Sequence, residues 1–243
     1  MKTTIYFLSA IVMMSSILSS CKKDGSTAAP VPFKCALCKT APDALAANDA
    51  ISKGIYKGVL IGSTGTIMFD IANNGSDITA VMVIDGVTVN LVSVTTWAAG
   101  VAYVAPFTGT YNGNPVSITF SIDVSGANPT VTASNIPGHP NTTFTIIKET
   151  SQGLVECFEG SYNTTRPETG TFNIILARTL AQWSGNGRET NTTTDDRVHG
   201  TIVNNQLRAD NGIIIGTLSS DQLDGSFNDG NGATVTITGR RTF

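Results

Sequence analysis

Apolar and polar residues alternate along most of the chain after residue 54. In residues 116–122, Val, Ile, Phe and Ile alternate with Ser, Thr and Ser. This period of two is that of a β-strand with one buried face. The runs 66–71, 172–176 and 234–238 follow the same alternation. The pattern therefore predicts an all-β fold.

Turn signals separate the predicted strands. They are rich in Asn, Asp and Gly, and they occur at residues 73–75, 85–86, 112–114, 210–212 and 228–230. Asp85-Gly86 stands between the apolar runs 78–84 and 87–94, which is the pattern of a tight hairpin. Strands joined by short turns form an antiparallel up-and-down meander, and such a meander buries its apolar face and its edges by closing into a barrel.

The sequence also repeats itself at a separation of 104–107 residues. Five short matches occur in the same order along the chain: Gly54-Ile-Tyr56 with Gly160-Ser-Tyr162, Gly65-Thr-Ile67 with Gly170-Thr-Phe172, Gly109-Thr110 with Gly216-Thr217, Thr119-Phe120 with Ser226-Phe227, and Val131-Thr132 with Val235-Thr236. They predict two duplicated β units, residues 54–150 and 158–243. One large barrel and two smaller ones are both compatible with this repeat.

A different pattern precedes the strands. Residues 21–41 contain small and polar residues and prolines, with no apolar period, and we interpret them as a flexible tether. Residues 42–53 begin with Pro42, are rich in Ala and are followed by Gly54, which are the start and stop signals of one short helix. The run 78–84 is apolar on both faces, so we expect this helix or the partner unit to cover it from outside.

Composition narrows the classes of partner. Charged residues make up only 14% of the chain and the formal net charge is −3. A weakly acidic, sparsely charged chain lacks the basic patches that bind nucleic acid. We therefore predict no nucleic-acid partner.

The first residues have the pattern of an export signal. A basic Lys2, an uncharged apolar run over residues 5–18 and then Leu18-Ser19-Ser20-Cys21 follow one another. Leu-Ser-Ser-Cys resembles the lipobox of bacterial lipoproteins, and Cys-Lys-Lys-Asp resembles the start of Bacteroidota-type lipoproteins. This resemblance implies a signal peptide over residues 1–20, lipidation of Cys21, and attachment to the outer membrane on its periplasmic or cell-surface face.

The β units resemble small lipocalin-like or avidin-like barrels. The resemblance rests on the Gly-x-Tyr openings at 54–56 and 160–162, the Gly-Thr-Phe at 170–172 and the terminal Thr-Gly-Arg-Arg-Thr-Phe. Aromatic side chains with a few polar groups are typical of small-molecule sites. The candidate pocket residues are Tyr56, Trp97, Tyr162 and Trp183. The same side chains could equally fill a barrel core.

Three further cysteines are candidates for a disulfide. Cys35, Cys38 and Cys157 lie in a chain with an export signal, where thiols oxidise if geometry allows. Cys35 and Cys38 could pair with each other, or one of them could pair with Cys157. No fourth ligand for zinc lies nearby, and we predict no metal site and no cofactor.

The function predicted from these features is a non-enzymatic one, as an outer-membrane lipoprotein that binds or serves a structural role. Its partner would be a small hydrophobic molecule, a glycan or another surface protein, besides the membrane itself. Two alternatives stay open. One is a fimbrillin-like or adhesin subunit built from β-sandwiches. The other is a small hydrolase or isomerase in a barrel mouth, with His139 or His199 as the candidate base.

Overall fold

The structure is a computed structural model, and it describes residues 33–243. The predicted signal peptide 1–20, the lipidation site Cys21 and the tether as far as residue 32 lie outside the described residues. All strands named below, and both hydrophobic cores, belong to the described part of the chain.

Eight strands form the first unit. They are β1 (Gly54–Ile61), β2 (Gly65–Ile71), β3 (Ile78–Ile84), β4 (Val87–Val92), β5 (Tyr103–Tyr111), β6 (Asn114–Ile122), β7 (Thr130–Asn135) and β8 (Thr143–Lys148). Every neighbouring pair is antiparallel, and β1 pairs with both β2 and β8. The sheet therefore curls back on itself, and it ends at β7 and β8, which have no residue register with each other among the described residues.

Eight more strands form the second unit. They are β9 (Val155–Thr164), β10 (Thr169–Ala177), β11 (Gln182–Glu189), β12 (Asp195–Val203), β13 (Gln206–Ala209), β14 (Ile214–Ser219), β15 (Gln222–Asn228) and β16 (Thr234–Arg241). β16 pairs with β9, with Gly239 opposite Gly160, so this barrel is closed. The predicted all-β, up-and-down architecture of two units is confirmed, with one sheet for each unit.

The sequence repeat follows the strand order only at its start. Gly54 and Gly160 lie on the first strands of the two units, and Gly65 and Gly170 on the second. The later matches are displaced by one strand, because Gly109 lies on β5, the fifth strand of its unit, whereas its match lies on β14, the sixth. The two units therefore share the number and order of their strands, but the matching residues lie on equivalent strands only at the start of the repeat.

The short N-terminal helix is smaller than predicted. It is a single 3-10 turn at Ala46–Asn48, and a second such turn occurs at Arg178–Leu180. Several other backbone groups of residues 42–53 are bound by distant side chains instead of by a helix. Lys148 donates to the carbonyl oxygens of Asn48, Asp49 and Ile51. These long-range bonds replace the helical hydrogen bonds that the local sequence predicted.

Aromatic rings fill the centre of the first unit. Tyr56, Phe69, Phe107 and Phe120 are completely buried. The rings of Phe69 and Phe120 stack at 4.1 Å between centroids, and Phe107 meets Phe69 edge-on at 5.0 Å. Offset and edge-on contacts are the favourable geometries for aromatic pairs, so this interior is a packed core.

β1 is the strand that is covered on both faces. Its even-numbered side chains face the core of the first unit, while Val59 and Ile61 pack against Val155, Cys157 and Ile175 of the second. All eight of its residues are buried as a result. The expected cover from outside lies on β1 rather than on the run 78–84, where the outward valines of β3 remain partly exposed.

One carboxylate ties three segments together between the two units. Glu149, which follows β8, is completely buried. It accepts hydrogen bonds from the backbone N–H of Asp43 at 2.7 Å and of Val155 at 3.0 Å. Lys57 of β1 forms an ion pair with it, at 2.5 Å from Nζ to Oε2. The arm before β1, the first sheet and the second barrel therefore meet at one charge.

We expect Lys57→Met to destabilise the protein by about 3–5 kcal/mol, because it leaves the Glu149 carboxylate buried without its counter-charge. The measurement is the free energy of unfolding from urea titration. Lys39→Met is the matched control, since Lys39 pairs with Asp43 on the surface with 63% of its side chain exposed. That control should change stability by less than about 1 kcal/mol. Equal effects of the two substitutions would contradict this role for the buried pair.

A half-buried carboxyl group, that of Glu159, lies where β9 meets the first sheet. Burial raises the pKa of Glu159 to about 7, although a backbone hydrogen bond from Gly65 acts in the opposite direction. The folded-state pKa thus lies above the ordinary value of 4.5. The stability that this group contributes is complete below pH 4.5, and it is lost as the pH rises through 7.

We therefore expect Glu159→Gln to flatten the pH dependence of stability. Relative to the wild type, the variant should gain about 2–3 kcal/mol between pH 4.5 and pH 8, because it has no charge to desolvate. Urea titrations of both proteins at the two pH values measure this difference, and pH 4.5 supplies the internal reference. Parallel stability profiles for the two proteins would rule out the raised pKa.

Candidate functional site

The second barrel contains a cavity of about 390 Å³ that opens at one end. Its walls are largely apolar, and all eight strands of the barrel contribute to them. The principal wall residues are Phe172, Ile174, Trp183, Ile215, Phe227 and Ile237. The volume lies in the range of sites for small molecules, about 300–1,000 Å³. This cavity is the candidate functional site.

One of the two inward glycines on β11 leaves room for the cavity. Side chains alternate along β11, with Trp183 facing inward, so the next inward positions are Gly185 and Gly187. A Cβ at Gly185 would lie 2.7 Å from Ile174, whereas a Cβ at Gly187 would have no neighbour closer than 3.9 Å. The wall beside Gly187 is therefore open space rather than packed core.

The opposite end of the barrel is filled. Five buried side chains occupy it: Phe158, Leu176, Leu207, Leu218 and Leu223. They lie towards the start of β9, β13 and β15 and towards the end of β10 and β14. These are the parts of the strands farthest from the opening. The cavity is thus a cup, closed at one end and open at the other.

Carboxylates surround the opening. Glu168 stands in the turn between β9 and β10, Asp229 in the turn between β15 and β16, and Asp196 at an inward position of β12. Asp229 is already bound, since its carboxylate accepts the N–H of Asn231 and of Ala233. We call Glu168, Asp196 and Asp229 the acidic rim.

Tyr162 joins the apolar wall to the acidic rim. It lies on β9 and lines the cavity. Burial raises the pKa of its hydroxyl, and the charges of Glu189, Asp196 and Glu168 raise it further. The hydroxyl is therefore neutral and can donate or accept a hydrogen bond at the entrance.

The four aromatic candidates divide evenly between the two units. Tyr162 and Trp183 line the cavity, and the indole N–H of Trp183 donates to the carbonyl oxygen of Thr201 at 3.2 Å. Tyr56 is a core residue whose hydroxyl donates to the carbonyl oxygen of Ser52. Trp97 packs against the same core, and its indole donates to the Ser52 hydroxyl. Only the second unit thus has aromatic candidates in a cavity.

Sequence reasoning missed both the glycines and the meeting of the three rim carboxylates at one opening. Gly185 and Gly187 are spaced by two on an inward face, and that spacing in Ser-Gly-Asn-Gly is a signal for an unfilled wall. Glu168 and Asp196 are separated by 28 positions in the sequence, and only the closed barrel brings them to one opening.

Among the cysteines, the structure pairs Cys35 with Cys38 and leaves Cys157 as a free thiol. Cys157 is completely buried where β9 faces β1. Burial in these apolar surroundings raises the pKa of its thiol well above the ordinary value. Because the thiolate is the reactive form, Cys157 is chemically inert in the folded protein.

The histidines lie away from the cavity. His199 is on β12 with its side chain 71% exposed, and its Nε2 lies 2.8 Å from Asp210. His139 follows β7 in the first unit, 3.5 Å from Asp85. Within residues 33–243 the cavity lining contains no histidine, cysteine or serine, and no cluster of side chains suited to a metal ion occurs.

The arm before the first sheet is attached to the closed end of the second barrel. The N–H of Cys35 donates to Asp221 at 2.9 Å, and Arg241 donates to the carbonyl oxygen of Lys39 at 2.6 Å. Arg241 also forms ion pairs with Asp221 and with Glu156, at 3.1 and 3.0 Å. Residues 33–41, the last part of the predicted tether, therefore leave the open end of the barrel uncovered.

Comparison of the chain with protein-family models, with curated proteins and with solved structures gives no significant match. In the part of the chain that the structure describes, no helix has the length and hydropathy needed to cross a membrane.

The cysteine arrangement predicts a simple thiol count. A form that begins at Lys22 should show no thiol reactive toward Ellman's reagent when folded, and one per chain in denaturant, because Cys157 becomes accessible only on unfolding. Cys157→Ala should abolish the reaction in denaturant. A reactive thiol in the folded protein, or three thiols after unfolding without reductant, would contradict the pairing of Cys35 with Cys38.

Proposed function

We propose that this chain is a lipid-anchored binding protein that holds a small, largely apolar molecule in its second barrel and catalyses no reaction on it. The observation that carries the proposal is the contrast between the two units. Aromatic rings fill the first interior, whereas the second leaves about 390 Å³ open among apolar walls. Enclosing a small apolar molecule removes its surface and that of the walls from water, which is favourable.

The lining residues favour binding over catalysis. Acyl transfer needs a nucleophile beside a base, and the cavity lining offers no serine, cysteine or histidine within the described chain. The two histidines that the enzymatic alternative required are on other surfaces. Apolar walls with few polar groups favour retention of a ligand rather than its conversion.

The location is proposed from the resemblance at the N-terminus. Cys21, at the end of a lipobox-like Leu-Ser-Ser-Cys, would carry the lipid, and the acyl chains would hold the protein at the outer membrane, on its periplasmic or cell-surface face. Attachment of the arm to the closed end of the second barrel is compatible with this, because the cavity stays open to solvent.

Filling the cavity tests the proposed function. In a form that begins at Lys22, 2-naphthylmethanol should bind with one site per chain, and isothermal titration calorimetry measures this. Gly187→Leu should weaken binding at least tenfold, because the new side chain enters open space and occupies the site. Its thermal unfolding temperature should not fall, since no atom lies within 3.9 Å of the added Cβ.

Thr236→Leu is the matched control. Thr236 is exposed on the outer face of β16, so the same side chain is added outside the cavity. Its affinity for 2-naphthylmethanol should equal that of the wild type. If the wild type does not bind, or if Gly187→Leu and Thr236→Leu bind equally, the cavity is not the binding site.

One observation favours a second candidate, the adhesin subunit. The first sheet ends in two strands, β7 and β8, that have no register with each other. Strand edges with free backbone groups can pair with another chain. We propose strand exchange at this gap as the alternative, and sedimentation of the form that begins at Lys22 tests it: a concentration-independent monomer contradicts it.

A further inference from the structure

The negative charge of the acidic rim affects which ligands the cavity favours. Two of its three carboxylates, those of Glu168 and Asp196, form no hydrogen bond or ion pair through their side chains with any described residue. The third, Asp229, forms an ion pair with Arg166 at 3.6 Å, and it is the only carboxylate of the rim with an ion pair among the described residues. The opening of the cavity therefore has an excess of negative charge.

Neither Arg188 nor Arg241 pairs with a carboxylate of the rim. Arg188 lies on the outward face of β11, where it pairs with Asp195 at 2.5 Å and donates to the carbonyl oxygen of Asn141. Arg241 is at the opposite end, bound to Glu156 and Asp221. Arg188 therefore has its partners on the outer face of the barrel, and Arg241 has its partners at the closed end.

The field of the rim reaches into the cavity. The charges of Glu189, Asp196 and Glu168 act together on the Tyr162 hydroxyl, which lines the cavity, and they oppose the formation of a negative charge there. The same field opposes an anionic ligand and attracts a cationic one. An ammonium group that passes the rim also meets aromatic side chains, and aromatic rings attract cations within about 6 Å.

We infer that the ligand is an amphiphilic cation, an apolar body that lies among Phe172, Trp183 and Phe227 with an ammonium-type group held at Glu168 and Asp196. The inference rests on the proposed function, since it names the chemical class of ligand for the same cavity. The apolar walls accept the body, while the unpaired carboxylates provide the counter-charge that a cationic group needs when it is partly removed from water. A neutral molecule gains only the first of these contributions, and an anion is repelled.

Three probes with the same apolar body separate the two contributions. They are 2-naphthylmethylammonium, 2-naphthylmethanol and 2-naphthylacetate, measured by isothermal titration calorimetry at pH 7.5 with the form that begins at Lys22, which keeps every described residue. We expect the cation to bind about tenfold more tightly than the alcohol and the anion about tenfold more weakly, and added salt should reduce both ratios.

The double variant Glu168→Gln and Asp196→Asn locates the preference. It should bind the alcohol as the wild type does, and it should lose most of the difference between cation and alcohol. The control, Asp77→Asn with Asp224→Asn, removes the same number of charges from exposed positions outside the cavity. That control should keep the wild-type ratio.

The outcomes distinguish this inference from the proposed function. If none of the three probes binds, the proposed function is wrong. If all three bind with equal affinity, the cavity is a binding site but its rim does not select cations, and the inference alone fails. A cation preference that persists in the rim variant also overturns the inference, because the selecting charge would lie elsewhere.

Discussion

The arrangement of this molecule depends on the carboxylate of Glu149. It is buried, and a buried charge is tolerated only when opposite charge and hydrogen bonds replace water. Lys57 supplies the charge, and the N–H groups of Asp43 and Val155 supply the hydrogen bonds. Because these partners belong to the first sheet, the arm and the second barrel, none of the three can move away without leaving the carboxylate unsatisfied. The apolar contact of β1 with β9 and β10 is held in place at the same point.

Two units with the same strand number and order differ in what occupies their interiors. In the first, inward positions of β2, β5 and β6 hold Phe69, Phe107 and Phe120, and their rings meet at the centre. In the second, two successive inward positions of β11 hold glycine. A strand interior rarely favours glycine, which forfeits packing and conformational entropy. At Gly187 the loss leaves a space, and the leucines at the far end keep the barrel closed and stable around it.

The sequence was sufficient for the strands and hairpins, because their signals are local. The alternation over residues 116–122 lies on β6, and Asp85-Gly86 joins β3 to β4 with Ile84 opposite Val87. It was insufficient for features set by distant residues. Lys57 and Glu149 are 92 positions apart, and no local sequence pattern around either residue predicts the pair. The alternation also looks alike in a filled barrel and a hollow one, so it could not separate Tyr56, a core residue, from Tyr162, which lines the cavity.

The two ends of the second barrel have separate tasks, and the connectivity of an up-and-down barrel makes this possible. Its turns alternate between the ends, so the turns that contain Glu168 and Asp229 lie at the opening, while the turn that contains Asp221 lies at the closed end. The arm uses the closed end, through Cys35 and Lys39, and Arg241 neutralises the carboxylates there. Substitutions at the opening can therefore change its charge without disturbing the contacts that attach the arm. A binding site can vary under such conditions while the fold that supports it stays fixed.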